Sequence, residues 1–286
     1  MLHGKAVLSN ITDPLNISYI IDPTPVSENK LKTQTDGLIK SIDDLVSTSS
    51  GEYALYVFRP DSGRGYGIRE NEIMPGASIM KVPVMVAVQE AVANGRMSPD
   101  DTYTMEEEDR ATGSGPLQFQ PAGASFKISD LLNYLGKNSD NTAWLMFNRR
   151  LGNNLLEDTL QEMGMTESSY QNLTTTAKDI ARMLAYIYRG KAGGEAGREA
   201  IWGYLTDSIY EDRITIGIPD GVDLVHKVGT DEGVWSDAGI IMPKTGKIEP
   251  FILVILNKDV DRDQATAVVP EITRKIWDFE SKNSSI

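Results

Sequence analysis

The order of strand-like and helical runs constrains the fold of this 286-residue chain more than any other feature. Five apolar runs typical of strands lie near the two ends of the chain and are bounded by turn residues. They are residues 53–59, 64–69, 224–230, 234–242 and 250–257. Between the second and the third, the apolar spacing has the period of helices. The sequence therefore predicts an α+β fold with one antiparallel five-stranded sheet, flanked by helices and carrying an inserted all-helical subdomain.

Helical spacing recurs through the middle of the chain and at its two ends. The predicted helices are residues 27–47, 78–95, 129–135, 141–151, 154–163, 175–188, 194–204 and 264–279. We expect residues 1–26 to be an irregular segment and residues 27–286 to form a single domain. Its sheet part takes residues 27–77 and 205–286, and its helical part takes residues 78–204.

Composition excludes several classes of function. The net charge of −13 argues against nucleic acid or an anionic membrane as a partner, because both need a basic surface. The absence of cysteine excludes disulfides and thiolate nucleophiles, and two histidines cannot build a histidine-rich metal centre. We therefore expect no metal and no cofactor. No run reaches the ~18 apolar residues of a membrane span, and no signal peptide is visible.

A serine and a lysine three residues apart begin the helical run that ends at Gly95. A serine hydroxyl is a weak nucleophile and needs a partner that takes its proton. Residues three apart share a helix face, so Lys81 is expected beside Ser78. The N–H groups at the start of a helix stabilise a developing negative charge. Chance also supplies such a pair in a chain of this size, and Pro83 is expected to distort the helix start.

Two further motifs follow in the chain. Ser139, Asp140 and Asn141 lie in a polar break between two predicted helices, where they also fit an ordinary helix cap. Lys227 lies on a predicted strand, two residues before Gly229, and a glycine there lets a ligand approach the backbone. A strand lysine is by itself usually a solvated surface residue.

These three motifs, in this order and setting, resemble those of the class A serine β-lactamases and of the penicillin-binding proteins that share their fold. The resemblance extends from about residue 30 to residue 280, and includes Thr112–Gly115 and the run that begins at Thr174. It implies that Ser78 is the acylated nucleophile and that Lys81 is its proton partner. It also implies that Ser139 passes a proton to the leaving nitrogen of the substrate.

The same resemblance implies a set of substrate-binding residues, which are Asn141, Arg213, Lys227, Gly229 and Thr230. Asn141 is expected to hold the amide side chain of the substrate, and Lys227 to attract its carboxylate. Arg213 corresponds to a carboxylate-binding arginine of some family members, although an exposed arginine at a helix end explains it equally well. The backbone N–H groups of Ser78 and Thr230 are expected to form an oxyanion hole.

Two departures from the family pattern concern the carboxylate site and the release of the acyl group. Val228 stands where the family has a threonine, which removes one hydroxyl donor. The glutamate-bearing loop that activates water in class A enzymes is apparently shortened or missing. In the interval where it belongs, Glu157 and Glu162 fit a helix surface. Glu167 remains as a possible base for deacylation.

The sequence therefore predicts a serine hydrolase of the class A β-lactamase type, with slow deacylation. Its expected substrate is a β-lactam or a molecule resembling a peptidoglycan stem peptide. The alternatives are a D-alanyl-D-alanine peptidase, an esterase, or a receptor-like binding module without turnover. The resemblance implies a periplasmic or extracellular, cell-wall-facing location.

Two other chemistries at Ser78 stay open. Lys81 could carry a carbamate and activate water, as in another class of serine β-lactamases. A triad of Ser78 with His226 and an aspartate is the second option. His226 directly precedes Lys227 on a strand, so their side chains point to opposite faces and cannot both face one cleft.

Overall fold

The computed structural model describes residues 25–244 and 248–283, with side chains from Thr35 onward. The strands are β1 (Glu52–Arg59), β2 (Arg64–Ile68), β3 (Met74–Pro75), β4 (Thr102–Thr104), β5 (Ser125–Lys127), β6 (Thr174–Thr175), β7 (Asp223–Asp231), β8 (Val234–Met242) and β9 (Phe251–Lys258). The α-helices are α1 (Pro25–Ser47), α2 (Val82–Ala93), α3 (Ile128–Lys137), α4 (Asn141–Leu151), α5 (Asn153–Glu162), α6 (Ala177–Tyr188), α7 (Gly194–Leu205), α8 (Ile214–Gly217) and α9 (Arg262–Asn283).

The main sheet has five antiparallel strands in the order β2-β1-β9-β8-β7, which confirms the predicted sheet. Strands from the two ends of the chain meet where β1 pairs with β9. The two short ladders, β3 with β6 and β4 with β5, were not predicted. Strands of two or three residues are too short to show a period of two.

Helices cover both faces of the sheet, because successive side chains of a strand point to opposite sides. On one face, Ala54 and Val254 pack with residues of α2 and α6 in the larger apolar core. On the other face, Leu55 and Ile255 pack with residues of α1 and α9 in a second core. The sheet is therefore the middle layer, and β7 is its outer strand on the side away from β1 and β2.

The apolar helix after Ser78 begins later than the sequence indicated. Residues Ala77–Lys81 form a 3₁₀ helix, and α2 begins at Val82 with Pro83 in its first turn. Proline is tolerated there because the first N–H groups of a helix have no intrahelical acceptor. Side chains three residues apart eclipse each other in a 3₁₀ helix, so Ser78 and Lys81 lie on one side of it.

Strand β7 passes directly beside this 3₁₀ helix. A Cβ atom placed on Gly229 would lie 3.1 Å from the carbonyl oxygen of Gly76 and 3.4 Å from the Cβ of Ala77. Glycine therefore permits a contact that a larger residue would loosen. The contact joins the serine motif to the lysine strand.

Some predictions concern residues outside the described ranges. Of the segment 1–26 that was predicted to be irregular, residues 1–24 lie outside the described ranges. Pro25 begins α1, so the helix starts within this segment. Most of the turn predicted at 244–246 is also outside. Among the described helices, none is long and apolar enough to cross a membrane.

Candidate active site

Ser78 lies in a strained part of the backbone. The preceding residue, Ala77, has a φ of 44°, and Ser139 and Leu173 both have a φ of 51°. Left-handed φ values are uncommon for residues with a Cβ atom and cost energy. All three residues line a cavity that Ser78 also lines. Such strain often concentrates at functional sites, where the surrounding structure holds it in place.

Lys81 is buried next to Ser78 and makes its hydrogen bonds to the second motif. Its Nζ donates to the Ser139 carbonyl oxygen at 2.5 Å, to Ser139 Oγ at 3.3 Å and to Asn141 Oδ1 at 2.6 Å. Burial lowers the pKa of Lys81 to about 8, although the charge of Asp140 partly opposes the shift. Roughly a tenth of the Lys81 side chains are then neutral at pH 7 and able to accept a proton. Among the described residues, no hydrogen bond joins Ser78 Oγ to Lys81 Nζ.

The second motif is held in place by its central residue. Asp140 is fully buried, and its side chain accepts hydrogen bonds from the N–H groups of Ala143 at the start of α4 and of Leu117. Asn141 Nδ2 donates to the carbonyl oxygen of Thr112 at 2.9 Å. The motif therefore contains an ordinary helix cap at Asp140, while Ser139 and Asn141 contact Lys81.

Lys227 is buried, and among the described side chains no carboxylate lies within hydrogen-bonding distance of it. Its Nζ contacts the carbonyl oxygen of Val228 at 3.5 Å, the limit of a hydrogen bond. Burial and the nearby charge of Lys81 lower the pKa of Lys227 well below its usual value, and Asp237 only partly opposes this. An anionic group that entered the site would supply the missing negative charge.

Arg213 acts inside the protein and not as an exposed arginine at a helix end. Its side chain is 1% exposed and donates to the carbonyl oxygens of Gly229 at 3.0 Å and Ser236 at 2.6 Å. Its Nη2 donates to Thr230 Oγ1 at 2.6 Å. The guanidinium also stacks on Trp235, with 3.7 Å between Cζ and the ring centroid. Arg213 therefore holds the residues that border the site.

Two cavities meet at Ser78 and Thr230, which line both of them. The smaller, about 100 Å³, extends past Ser139 to Arg213. Its other lining residues are Ser114, Tyr210, Asp212, Val228, Trp235 and Arg262. The larger, about 270 Å³, extends past Lys81 and Asn141. Its other lining residues are Ala77, Ala111, Trp144, Leu145, Leu173 and Asp231.

The residues that form the walls of these cavities were not predicted from the sequence. Trp144, Leu145 and Leu173 make one wall of the larger cavity apolar. Trp144 Nε1 donates to Tyr170 Oη at 2.5 Å, which fixes the indole. Arg262 stacks on Trp235 in the smaller cavity, with 4.4 Å between Cζ and the ring centroid. Nothing in the local sequence pattern separates these residues from ordinary core residues.

Glu167 does not reach the site. Its side chain is exposed and lines neither of the cavities at Ser78. Its backbone N–H donates to Asp179 Oδ2 at 2.9 Å, which fixes the turn in which it lies. Glu157 accepts hydrogen bonds from Ser169 and Gln171 of the same turn. The two glutamates therefore belong to the structure of this turn.

His226 faces away from the cavities. It contacts Asp237 and Glu211 on the side of β7 opposite Lys227. This placement excludes a triad of Ser78, His226 and an aspartate, as the alternation of side chains along the strand predicted.

The fold, the convergence of Ser78, Lys81 and Ser139, and the position of Lys227 on the adjoining strand define a protein of the serine β-lactamase and transpeptidase class. The model of the β-lactamase enzyme family matches residues 37–279, and the chain belongs to this family.

Comparisons with known proteins agree with this assignment. The β-lactamase VEB-1 of Pseudomonas aeruginosa is 20% identical over 273 residues, covering 86% of this chain and 91% of that protein. The structure of PBP-A is similar with a TM-score of 0.80 and 24% identity, covering 86% of this chain and 96% of the other. An ancestral class A β-lactamase is similar with a TM-score of 0.78 and 23% identity, covering 84% and 99% of the two chains. A mutant of PBP-A is an acyl-enzyme complex with penicillin G, with a TM-score of 0.78 and 24% identity, covering 86% and 97% of the two chains.

Proposed function

We propose that the protein is a serine acyl hydrolase that forms an acyl-enzyme on Ser78 with β-lactams or related amides. The observation that carries this proposal is the position of Ser78. It lies where two cavities meet, beside a buried lysine whose pKa of about 8 permits proton transfer.

The contacts around Lys81 support a proton path in the acylation step. The neutral amine of Lys81 takes the proton of Ser78 while Oγ attacks the carbonyl carbon of the substrate. The C–N bond breaks as the tetrahedral intermediate collapses, and the proton ends on the leaving nitrogen. Ser139 Oγ lies 3.3 Å from Lys81 Nζ and lines the cavity with Ser78, so it can pass that proton on.

The charges along the smaller cavity favour a substrate with an anionic group near the scissile bond. Arg213 and Arg262 line this cavity together with one acidic residue, Asp212. Lys227 is buried next to the lining residue Val228, and no described carboxylate is hydrogen-bonded to it. Thr230 adds a hydroxyl at the junction of the two cavities. A β-lactam carries a carboxylate near its ring nitrogen. A peptide that ends in D-alanyl-D-alanine likewise carries its terminal carboxylate near the nitrogen of the scissile amide. We propose this chemical class as the substrate, reached outside the cytoplasm as in related enzymes.

The apolar wall of the larger cavity supports slow release of the acyl group. Leu173, Trp144 and Leu145 offer no group that could activate water near the ester. Asp231 is the one acidic residue of this lining, but it is exposed and accepts a hydrogen bond from the N–H of Glu232. The acyl-enzyme is therefore expected to accumulate. A binding module without turnover is the second candidate function, favoured by Val228 and by this wall.

Whole-protein mass spectrometry after incubation with a penicillin tests the acylation step. We expect one covalent adduct, located on the peptide that contains Ser78 and absent from Ser78→Ala. A chromogenic cephalosporin then separates slow turnover from capture, because capture gives one stoichiometric burst and turnover continues after it. An unmodified protein after treatment with several β-lactams and activated esters would exclude the proposed chemistry.

A second experiment places a carboxylate in the apolar wall. We expect Leu173→Glu to shorten the lifetime of the adduct by at least about tenfold, because a general base contributes ~10²-fold or more to such a step. Leu173→Gln has the same size and no negative charge, so it controls for the loss of packing. If both variants release the acyl group at the same rate, the missing base does not explain slow deacylation. The lifetime is measured by mass spectrometry after removal of excess penicillin.

A further inference from the structure

The imidazole of His226 is buried between two carboxylates behind strand β7. Its Nδ1 lies 3.0 Å from Asp237 Oδ1, and its Nε2 lies 3.2 Å from Glu211 Oε2. The side chains of His226 and Asp237 are 1% and 0% exposed. A fully buried carboxylate such as Asp237 is costly without a charged partner. The imidazolium form of His226 forms an ion pair with both carboxylates, and its contact with Asp237 also has the geometry of a hydrogen bond.

The two carboxylates bracket Arg213 in the chain. Glu211 lies two residues before it and also accepts a hydrogen bond from Thr215 Oγ1 at 2.5 Å. Asp237 Oδ2 accepts a hydrogen bond from the backbone N–H of Ile214, the residue after Arg213, at 3.1 Å. His226 therefore fixes the chain on both sides of Arg213. Ile214 is itself fully buried in the second core, so the segment has another anchor besides these ion pairs.

Arg213 in turn sets the orientation of a hydroxyl at the active site. Because Nη2 of Arg213 donates to Thr230 Oγ1, the hydroxyl hydrogen of Thr230 has to point elsewhere. Thr230 is exposed and lines both cavities at Ser78. The backbone of Thr230 is held independently, because it pairs with Trp235 in the ladder between β7 and β8. Arg213 thus affects the side chain of Thr230 more than its backbone N–H.

We propose that His226 is a positioning residue, which fixes Arg213 and through it directs the Thr230 hydroxyl toward an anionic group of the substrate. The inference rests on the proposed function, since it concerns how the substrate of Ser78 is held. The charged groups that face His226 are Asp237 and Glu211. Asp237 also interacts with Arg213 and Lys227, so the pair is part of the charge balance around the site.

The test compares two acyl donors on His226→Gln and Glu211→Gln. For a penicillin, which has a carboxylate, we expect the acylation efficiency to fall about tenfold, the effect of one weakened charge-assisted hydrogen bond. The loss should appear in the concentration for half-maximal acylation and not in the maximal rate. For an activated ester without an anionic group, we expect a change below about twofold. Glu195→Gln, which alters an exposed pair with Arg198, is the matched control and should change neither.

Thr230→Val distinguishes positioning from a general structural role. It removes the hydroxyl and should reproduce the selective loss of acylation by the penicillin. Adding His226→Gln to Thr230→Val should then cause no further loss of acylation efficiency. Equal losses for both donors, or losses that multiply in the double variant, would overturn the inference. Glu211→Gln serves if His226→Gln unfolds, because the Glu211 side chain is 38% exposed and the substitution is milder.

A readout independent of activity separates this inference from the proposed function. In ¹⁵N-labelled protein, the side-chain N–H signals of Arg213 should shift in His226→Gln and in Glu211→Gln but not in Glu195→Gln. Unchanged Arg213 signals would refute the positioning role even if Ser78 is acylated normally. Conversely, shifted signals in a protein that forms no adduct would keep the structural coupling and refute only the proposed chemistry.

Discussion

His226 and Lys227 are neighbours on β7 and both are buried, but only His226 has carboxylate partners. His226 has Asp237 and Glu211 beside it, and although burial opposes the charge, these carboxylates raise its pKa to about 9. Lys227 has a weak contact to a carbonyl oxygen, and burial lowers its pKa well below the usual value. A charge whose partners come from the protein contributes to the architecture. A buried amine without such partners is available to bind an anionic group.

The largest expected effect concerns the paired side of the strand. Asp237→Asn leaves the buried imidazolium with one carboxylate and should destabilise the protein by roughly 3–5 kcal/mol at pH 7. Urea unfolding followed by circular dichroism measures this change. Asp100→Asn, in an exposed pair with Lys127, is the control and should cost less than about 1 kcal/mol. Similar losses of unfolding free energy in the two variants would show that the ion pair of His226 with Asp237 does not stabilise the fold.

The second prediction concerns the unpaired side. Lys227→Met should reduce acylation by a carboxylate-bearing β-lactam by about 100-fold, equivalent to ~2.7 kcal/mol, because it removes a buried amine that can pair with the substrate carboxylate. Its stability should stay unchanged or increase, since a desolvated charge is replaced by an apolar side chain. Stopped-flow acylation and urea unfolding give the two numbers. A large loss of stability with unchanged acylation would show that Lys227 has a structural role and does not bind the substrate.

The smallest effect, for a change of one pH unit, is the pH dependence of stability, which has a slope of at most about 1.4 kcal/mol per pH unit for each group. The pKa of His226 is raised from 6.5 to about 9, so its contribution is fully present below pH 6.5 and is lost as the pH rises through 9. The stability deficit of His226→Gln relative to wild type should therefore shrink over this range.

Lys81 should show the opposite sign. Its pKa is lowered from 10.5 to about 8, so the unfolded chain binds more protons between these values and stability rises with pH. The stability advantage of Lys81→Met should accordingly be greatest below pH 8 and disappear above 10.5. If the unfolding free energy of wild type and of both variants changed in parallel with pH, the pKa shifts assigned to His226 and Lys81 would both be wrong.

Much of the fold followed from the sequence because its signals are local. The strand runs and most helix positions came from apolar spacing, and β8 and α4 were predicted with the bounds that the structure shows. The start of α2 was misplaced because a 3₁₀ turn and an α-helix give similar apolar patterns. The short ladders β3–β6 and β4–β5 left no periodic signal.

The candidate site divides in the same way. The positions of Ser78, Lys81, Ser139 and Lys227 followed from short motifs, and strand alternation correctly separated His226 from Lys227. The inward orientation of Arg213 depends on acceptors that lie 16–23 residues away in sequence. Leu173 lines the cavity because β6 pairs with β3, which brings it to the region of Ser78.

By itself, the sequence determined the order of the elements and the candidate residues for acyl transfer. The tertiary structure decided which of those residues are charged, paired or accessible. The physical reason is that periodicity and motifs depend on neighbours in the chain, whereas burial and ion pairing depend on distant segments. Lys227 and His226 are adjacent in sequence, and the contacts around them, from β8 and the Arg213 segment, make one a candidate ligand-binding cation and the other half of a buried ion pair.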